Sequence, residues 1–207
     1  MPRIPNRDIP RIETERLLLT IPPEEAAARM LAFAEENRTH LARWSPPEPR
    51  DYYTQESWRN YLSGANQEFR LGRSLKLVLF DINEPNGRVL GECNFSNFMR
   101  GPFHACFLGY KLDHREEGRG LMFEALTAAI AYAFDVLRLH RIMANYLPIN
   151  ERSGRLLRRL GFTVEGYARD YLLIDGEWRD HILTALTNTD LTADDLVNAS
   201  TAGGEKS

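Results

Sequence analysis

The chain has 207 residues, 43% of them hydrophobic and 10% aromatic, enough to bury one substantial core, and the length favours a single domain. A formal charge of -3 and a pI near 6.0 leave no electrostatic footprint of nucleic-acid binding, and no run of about 18 apolar residues or leader-like start points to a membrane or to export. Cys93 and Cys106 stand singly inside apolar runs, not in a CxxC pair, so they are expected to be reduced core residues of a cytoplasmic protein.

Residues 1–13, with three prolines and mixed charge, are expected to form a flexible segment, and the Thr-, Ala-, Asp- and Gly-rich stretch 189–207 a disordered tail, leaving 14–188 as the folded domain. Arg16 to Ile21 predicts a strand stopped by Pro22 and Pro23, and Glu24 then starts a helix that runs to about Asn37. After the proline-broken LARWSPPEPRDYY, a helix is predicted over 54–71, with Trp58, Tyr61, Leu62 and Phe69 near one face. Leu75 to Phe80, Val89 to Phe98 and Cys106 to Leu112 are strands, and the turn-rich NEPNG and MRGPFH between them predict an antiparallel meander. A helix follows Gly120, with Met122, Leu126, Ala129, Ala133 and Leu137 as its buried stripe. Arg141 to Tyr146 is a further strand, Asn150 opens a short amphipathic helix stopped by Gly161, and strands over 163–174 and 178–186 flank the turn at Asp175 to Glu177. The sheet is therefore expected to be mixed and mostly antiparallel, with about seven strands and helices on its faces: an α/β (α+β) domain.

The segment from Arg115 to Gly120, between a strand and a helix, has the makings of a phosphate site. The first amides of a helix lack partners and carry the positive end of the macrodipole, so an anion placed there gains hydrogen bonds and field together. Gly118 and Gly120 permit a turn that aims successive amides into one cradle, and Arg115 or Arg119 can add charge. Glu116 and Glu117 would repel phosphate if they pointed inward, so they are expected to face solvent.

RxxGxG at a helix start, followed about thirty residues later by NxxS and a helix ending in GF, resembles the GNAT acetyltransferase superfamily; here the motif residues are Arg115, Gly118, Gly120, Asn150, Ser153, Gly161 and Phe162. The resemblance covers roughly Arg16 to Thr187, and NFSNFMRGPFHAC, GLMFEALTAAI, HRIMANY and DYLLIDGEWRDH are similar to one branch, the RimJ-type ribosomal-protein-alanine N-acetyltransferases. It implies the GNAT fold and acetyl-CoA as co-substrate, its pyrophosphate on the amides of Arg115 to Gly120. The pantetheine arm would run strand-like along Leu108 to Leu112, past Tyr110 and Leu112, with Asn145 and Asn150 nearby. No metal is expected, since the five histidines are scattered without ligand spacing.

The implied chemistry is attack of an amine on the thioester. A free α-amine titrates near 7.8 and a lysine near 10.4, so their free-base fractions at pH 7 differ by roughly 400-fold, about 3.5 kcal/mol, and a terminal amine needs the weaker base. Many members of the superfamily carry a tyrosine acid four residues after the NxxS serine; Leu157 stands here, which leaves Ser153 as the candidate acid or simply a helix-start residue bonded to backbone. Glu92 is the candidate base, through a water, or a strand residue on the solvent face. Asn94, Asn145 and Tyr171 are further polar candidates, Asn94 and Tyr171 toward the acceptor. Trp44 and Tyr53 either wall the acceptor groove or cover the core, and Arg152, Arg155 and Arg159 meet either a ribose phosphate or solvent.

The branch implies acetylation of the N-terminal alanine of a small-subunit ribosomal protein, with the assembling small subunit as a further partner. A polyamine, antibiotic or lysine acceptor, or a non-catalytic role in ribosome assembly, remains open on sequence alone, as does the oligomeric state.

Overall fold

In the computed structural model, which describes residues 8–192, eight strands form one sheet. They are β1 Arg11–Glu13, β2 Leu17–Thr20, β3 Leu75–Asp81, β4 Gly91–Met99, β5 Ala105–Leu112, β6 Arg141–Met143, β7 Thr163–Ile174 and β8 Glu177–Thr187, in the spatial order β1-β2-β3-β4-β5-β6-β8-β7. Every neighbouring pair is antiparallel except β5 and β6. The helices are α1 Ala27–Glu36, α2 Arg38–Ala42, α3 Gln55–Arg70, α4 Leu121–Asp135 and α5 Glu151–Arg159.

Side chains alternate between the two faces of a strand, and this separates two apolar layers. Leu17, Leu19, Leu77, Leu79, Cys93, Phe95 and Leu108 pack under the α4 stripe of Met122, Leu126, Ala129 and Ala133, with Leu157 of α5 beside them. Leu18, Val78 and Phe80 face the other way, against Met30 and Phe33 of α1 and Trp58 and Leu62 of α3. Both cysteines are buried free thiols, as expected.

Three expectations need correction. Arg11–Glu13, assigned to a flexible segment, pairs with β2 and gives the sheet its eighth strand; three residues on an edge are too few to show an alternation. The helix expected over 24–37 begins as a 3-10 turn at Glu24–Ala26, and a separate α2 follows it. The strand expected over 141–146 stops at Met143, because the side chain of Asn145 takes the Thr184 N–H at 3.2 Å, and Tyr146 keeps only an isolated bridge to Ile182. Residues 1–7, and the expected tail from residue 193 onward, lie outside the described residues.

The early end of β6 positions the site. β5 pairs with it only from Ala105 to Phe107, so Leu108 to Leu112 runs on with its β6-side edge unpaired and the sheet opens there.

Candidate active site

At the open end, α4 begins without a side-chain cap. Gly120 is its N-cap at φ 77°, and Gly118 shares that left-handed conformation, which a residue with a Cβ adopts only under strain. Asp113 accepts from the Arg115 amide at 2.9 Å, and its carbonyl takes the Glu116 amide at 2.9 Å, which removes two of the donors expected in the cradle. The amides from Glu117 through Phe123 have no acceptor among the described residues. The unpaired amides therefore begin later in the chain than the motif alone implies.

The charged side chains around it are arranged differently from expectation. Glu116 is buried, not solvent-facing, and accepts from both Arg88 and Arg119. Glu117 pairs with Arg152 and with His40 at 3.2 Å. Both corrections depend on partners far away in sequence. Arg115 turns onto Asp113 and Glu36. Burial would raise the Asp113 carboxyl, but hydrogen bonds from the Arg115 side chain and amide outweigh it and hold the group at about 2. Arg16 braces the turn, donating to Glu124 at 2.7 Å and to the Arg119 carbonyl at 2.9 Å.

On the α4 face, the Tyr110 and Ser153 hydroxyls lie 2.6 Å apart, which joins β5 to α5 across the opening. The Asn150 side chain caps α5 by accepting from the Ser153 amide at 3.1 Å, so backbone bonding and a hydroxyl contact coexist at Ser153. Burial pushes the Tyr110 phenol up to about 12 although the Ser153 bond lowers it, which keeps it a neutral donor. Tyr146 packs on α5 so closely that a Cβ on Gly154 would stand 2.8 Å from its ring. The residue that follows the NxxS serine is small for this reason.

On the α3 face, Val78, Glu92 and Lys111 lie side by side across three strands. Glu92 is buried, contrary to the solvent-face alternative, and its Oε1 has no hydrogen-bond partner among the described residues. Burial raises its carboxyl, an effect that Lys111 partly offsets. The Asn94 Oδ1, two residues along, is likewise buried and unpartnered. Burial and the Glu92 charge both push up the Tyr52 and Tyr61 phenols. A cavity of about 510 Å³ adjoins this cluster, lined by Tyr52, Tyr53, Lys111, Arg38 and Glu48 among others. Tyr53 lines this cavity, whereas Trp44 is not among the lining residues and lies under the Arg43 guanidinium, 4.7 Å from its ring. Across the opening, the Asn145 Nδ2 donates to the Tyr171 hydroxyl at 3.1 Å. Arg152, Arg155 and Arg159 are engaged by Glu117, Glu151 and the Phe123 ring.

Sequence reasoning missed Asp113, Arg88, Lys111, Tyr52 and Tyr146. Only Asp113, an acidic residue just before a glycine loop, carried a local signal. Leu112 ends β5 beside the loop as expected.

Among the described residues no group of His, Cys, Asp and Glu is arranged to hold a metal ion, and no helix is long and apolar enough to cross a membrane.

The family description "acetyltransferase (GNAT) domain" matches residues 16–163. The chain is 48% identical over 182 residues to the [ribosomal protein uS5]-alanine N-acetyltransferase of Escherichia coli, covering 88% of this chain and 93% of the relative. The crystal structure of the ribosomal-protein-S5-alanine acetyltransferase from Vibrio fischeri is similar at TM-score 0.84 and 36% identity, over 88% of this chain and 99% of that one. Mycobacterium smegmatis RimJ in complex with CoA-disulfide is similar at TM-score 0.79 and 27% identity, over 96% and 95%.

Proposed function

Since the chain belongs to the GNAT acetyltransferase family, we propose that it transfers the acetyl group of acetyl-CoA to the α-amine of an N-terminal alanine, with ribosomal protein uS5 as the acceptor. The observation that carries the reading is the opening between β5 and β6. It joins an uncapped helix start and a hydroxyl pair on one face of the sheet to a buried carboxylate on the other. A relative that is 48% identical over nearly all of its length supports the acceptor.

The residues present fit acetyl-CoA. The amides of Glu117 to Phe123 would hold its pyrophosphate, and the unpaired edge of Leu108 to Leu112, including Tyr110 and Leu112, would hydrogen-bond its pantetheine arm. Bound there, acetyl-CoA supplies an activated acyl group and a thiolate leaving group. Glu92 attracts the acceptor ammonium, since a buried carboxylate with an unfilled lone pair gains most from a cationic donor, and then takes its proton; Asn94 holds the same amine in place. Ser153 gives a proton to the leaving sulfur and takes one from Tyr110, whose own proton is replaced from water, so both hydroxyls end neutral while the ammonium proton leaves through Glu92. Tyr53 and Tyr171 line the path of the acceptor chain. A carboxylate base whose pKa is raised by burial suits an α-amine near 7.8 better than a lysine near 10.4.

Incubation of the purified protein with isotope-labelled acetyl-CoA and total ribosomal proteins, followed by mass mapping, tests the reading. Label on the α-amine of the uS5 alanine is expected; label on internal lysines, on a polyamine, or nowhere would refute it.

A further inference from the structure

β7 and β8 form a long hairpin whose pairing is interrupted. Ala168 faces His181 and Leu172 faces Arg179, so Arg169, Asp170 and Tyr171 all oppose the single residue Asp180. Two extra residues on one strand make a special bulge, larger than the usual single insertion, and a bulge can re-aim side chains. The registers before and after the bulge both count Tyr171 to the Trp178 and Asp180 face of β8, turned away from His181; the left-handed Asp170, at φ 47° inside the bulge, breaks that alternation. With the bulge, the Tyr171 ring lies 5.5 Å from the His181 ring, and its hydroxyl accepts from Asn145 at the opening of the sheet.

What holds the bulge is one carboxylate. Asp180 Oδ1 accepts from the Asp170 amide at 2.9 Å, replacing the ladder partner which that amide has lost, and Oδ2 accepts from the Tyr167 hydroxyl at 2.5 Å. The constraint is needed because Asp170 has φ 47°, a conformation that an L residue leaves readily. We infer that Asp180 is a positioning residue for the acceptor groove: from the opposite face of the hairpin it fixes the bulge that delivers Tyr171 to Asn145. The inference rests on the acetyl-transfer reading for the groove, and on the β7–β8 register alone for the latch.

The test uses the full chain with Asp180→Ala, Asp180→Asn and Tyr171→Phe, separately, and Asp180→Ala combined with Tyr171→Phe. Kinetics are measured against acetyl-CoA and a peptide bearing the uS5 N-terminus from its alanine. Asp180→Ala is expected to raise the peptide KM about tenfold, the worth of one good hydrogen bond, and to leave the acetyl-CoA KM unchanged. Asparagine keeps an acceptor for the Asp170 amide, so Asp180→Asn should restore most of the peptide affinity. The double variant should be no worse than the poorer single one, since both act through the Tyr171 contact. An unchanged peptide KM, an equal rise in both KM values, or additive losses would overturn the inference. Hydrogen exchange of 168–172 is read on the same proteins. If the wild type acetylates no alanine peptide, the functional reading has failed, and exchange decides the latch by itself: faster exchange confined to that segment in Asp180→Ala upholds it, and unchanged exchange removes it.

Discussion

Glu92 and Ser153 illustrate how a residue's chemistry depends on what its strand or helix is packed against. Ser153 at once donates its amide to the Asn150 cap of α5 and forms one half of a 2.6 Å hydroxyl pair with Tyr110. Ser153→Ala and Tyr110→Phe are each expected to lower kcat about 100-fold, within the usual worth of a positioned proton donor. In the double variant the loss should be no larger, because one relay is broken in all three; steady-state kinetics at saturating acetyl-CoA read this directly. For Glu92 the sign follows from burial. Its carboxyl is raised, so the basic form is lost as pH falls through a range above the ordinary carboxylate values, and kcat should show its acid limb there. Glu92→Gln should abolish that limb and lower kcat about 100-fold. A raised acid also costs folding free energy once ionised, above its unfolded pKa, so Glu92→Gln should unfold at a higher temperature than the wild type at pH 8. A melting temperature lowered by the substitution would contradict the burial argument.

The elements differ in how much of their role could be read from the chain. The start of α4 was legible because everything that makes it is local: two glycines, a strand before, and an apolar stripe of period three to four after. The role of Leu108 to Leu112 as an edge for the pantetheine arm was legible only through family resemblance, since that stretch looks like any other half-buried strand. The inward turn of Glu116 was hidden, because its partner Arg88 lies on another loop. The β7 bulge was hidden as well: Arg169 and Asp170 are ordinary polar residues, and nothing in their order marks a doubled register. Gly154 belongs to this scale. A methyl group there would meet the Tyr146 ring at 2.8 Å, so Gly154→Ala must tilt α5 or displace the ring. Either movement draws Ser153 away from Tyr110. We expect kcat to fall about tenfold and stability by about 1–2 kcal/mol, the range for an overpacked contact, measured by kinetics and by urea unfolding.

At the scale of the whole molecule, the sheet is both scaffold and partition. It separates two apolar layers, and where β6 ends the edge of β5 from Leu108 to Leu112 is left unpaired. The ion network at the rim of that opening links distant parts of the fold, with Asp113 at its centre between Arg88 and Arg115. Its carboxyl is held at about 2, so its contribution of about 2 kcal/mol is complete above the unfolded value near 3.9 and is lost as pH falls toward 2. Asp113→Asn should therefore cost about 2 kcal/mol at pH 7, and the gap to wild type should close between pH 4 and pH 2 in urea unfolding. A gap that persisted at pH 2 would mean that the carboxylate charge is not its source.

The partition makes a specific demand on how the two substrates meet. The most direct measurement is a crystal structure of the protein with a conjugate in which the sulfur of CoA is joined, through an acetyl bridge, to the α-amine of an alanine-led uS5 peptide. The diphosphate is expected on the amides of Glu117 to Phe123 and the bridge in the gap between Leu108–Leu112 and Asn145. The alanine nitrogen should lie beside Glu92, with the peptide leaving between Lys111 and Tyr171. A conjugate bound wholly on the α4 face, with Glu92 still covered, would contradict it.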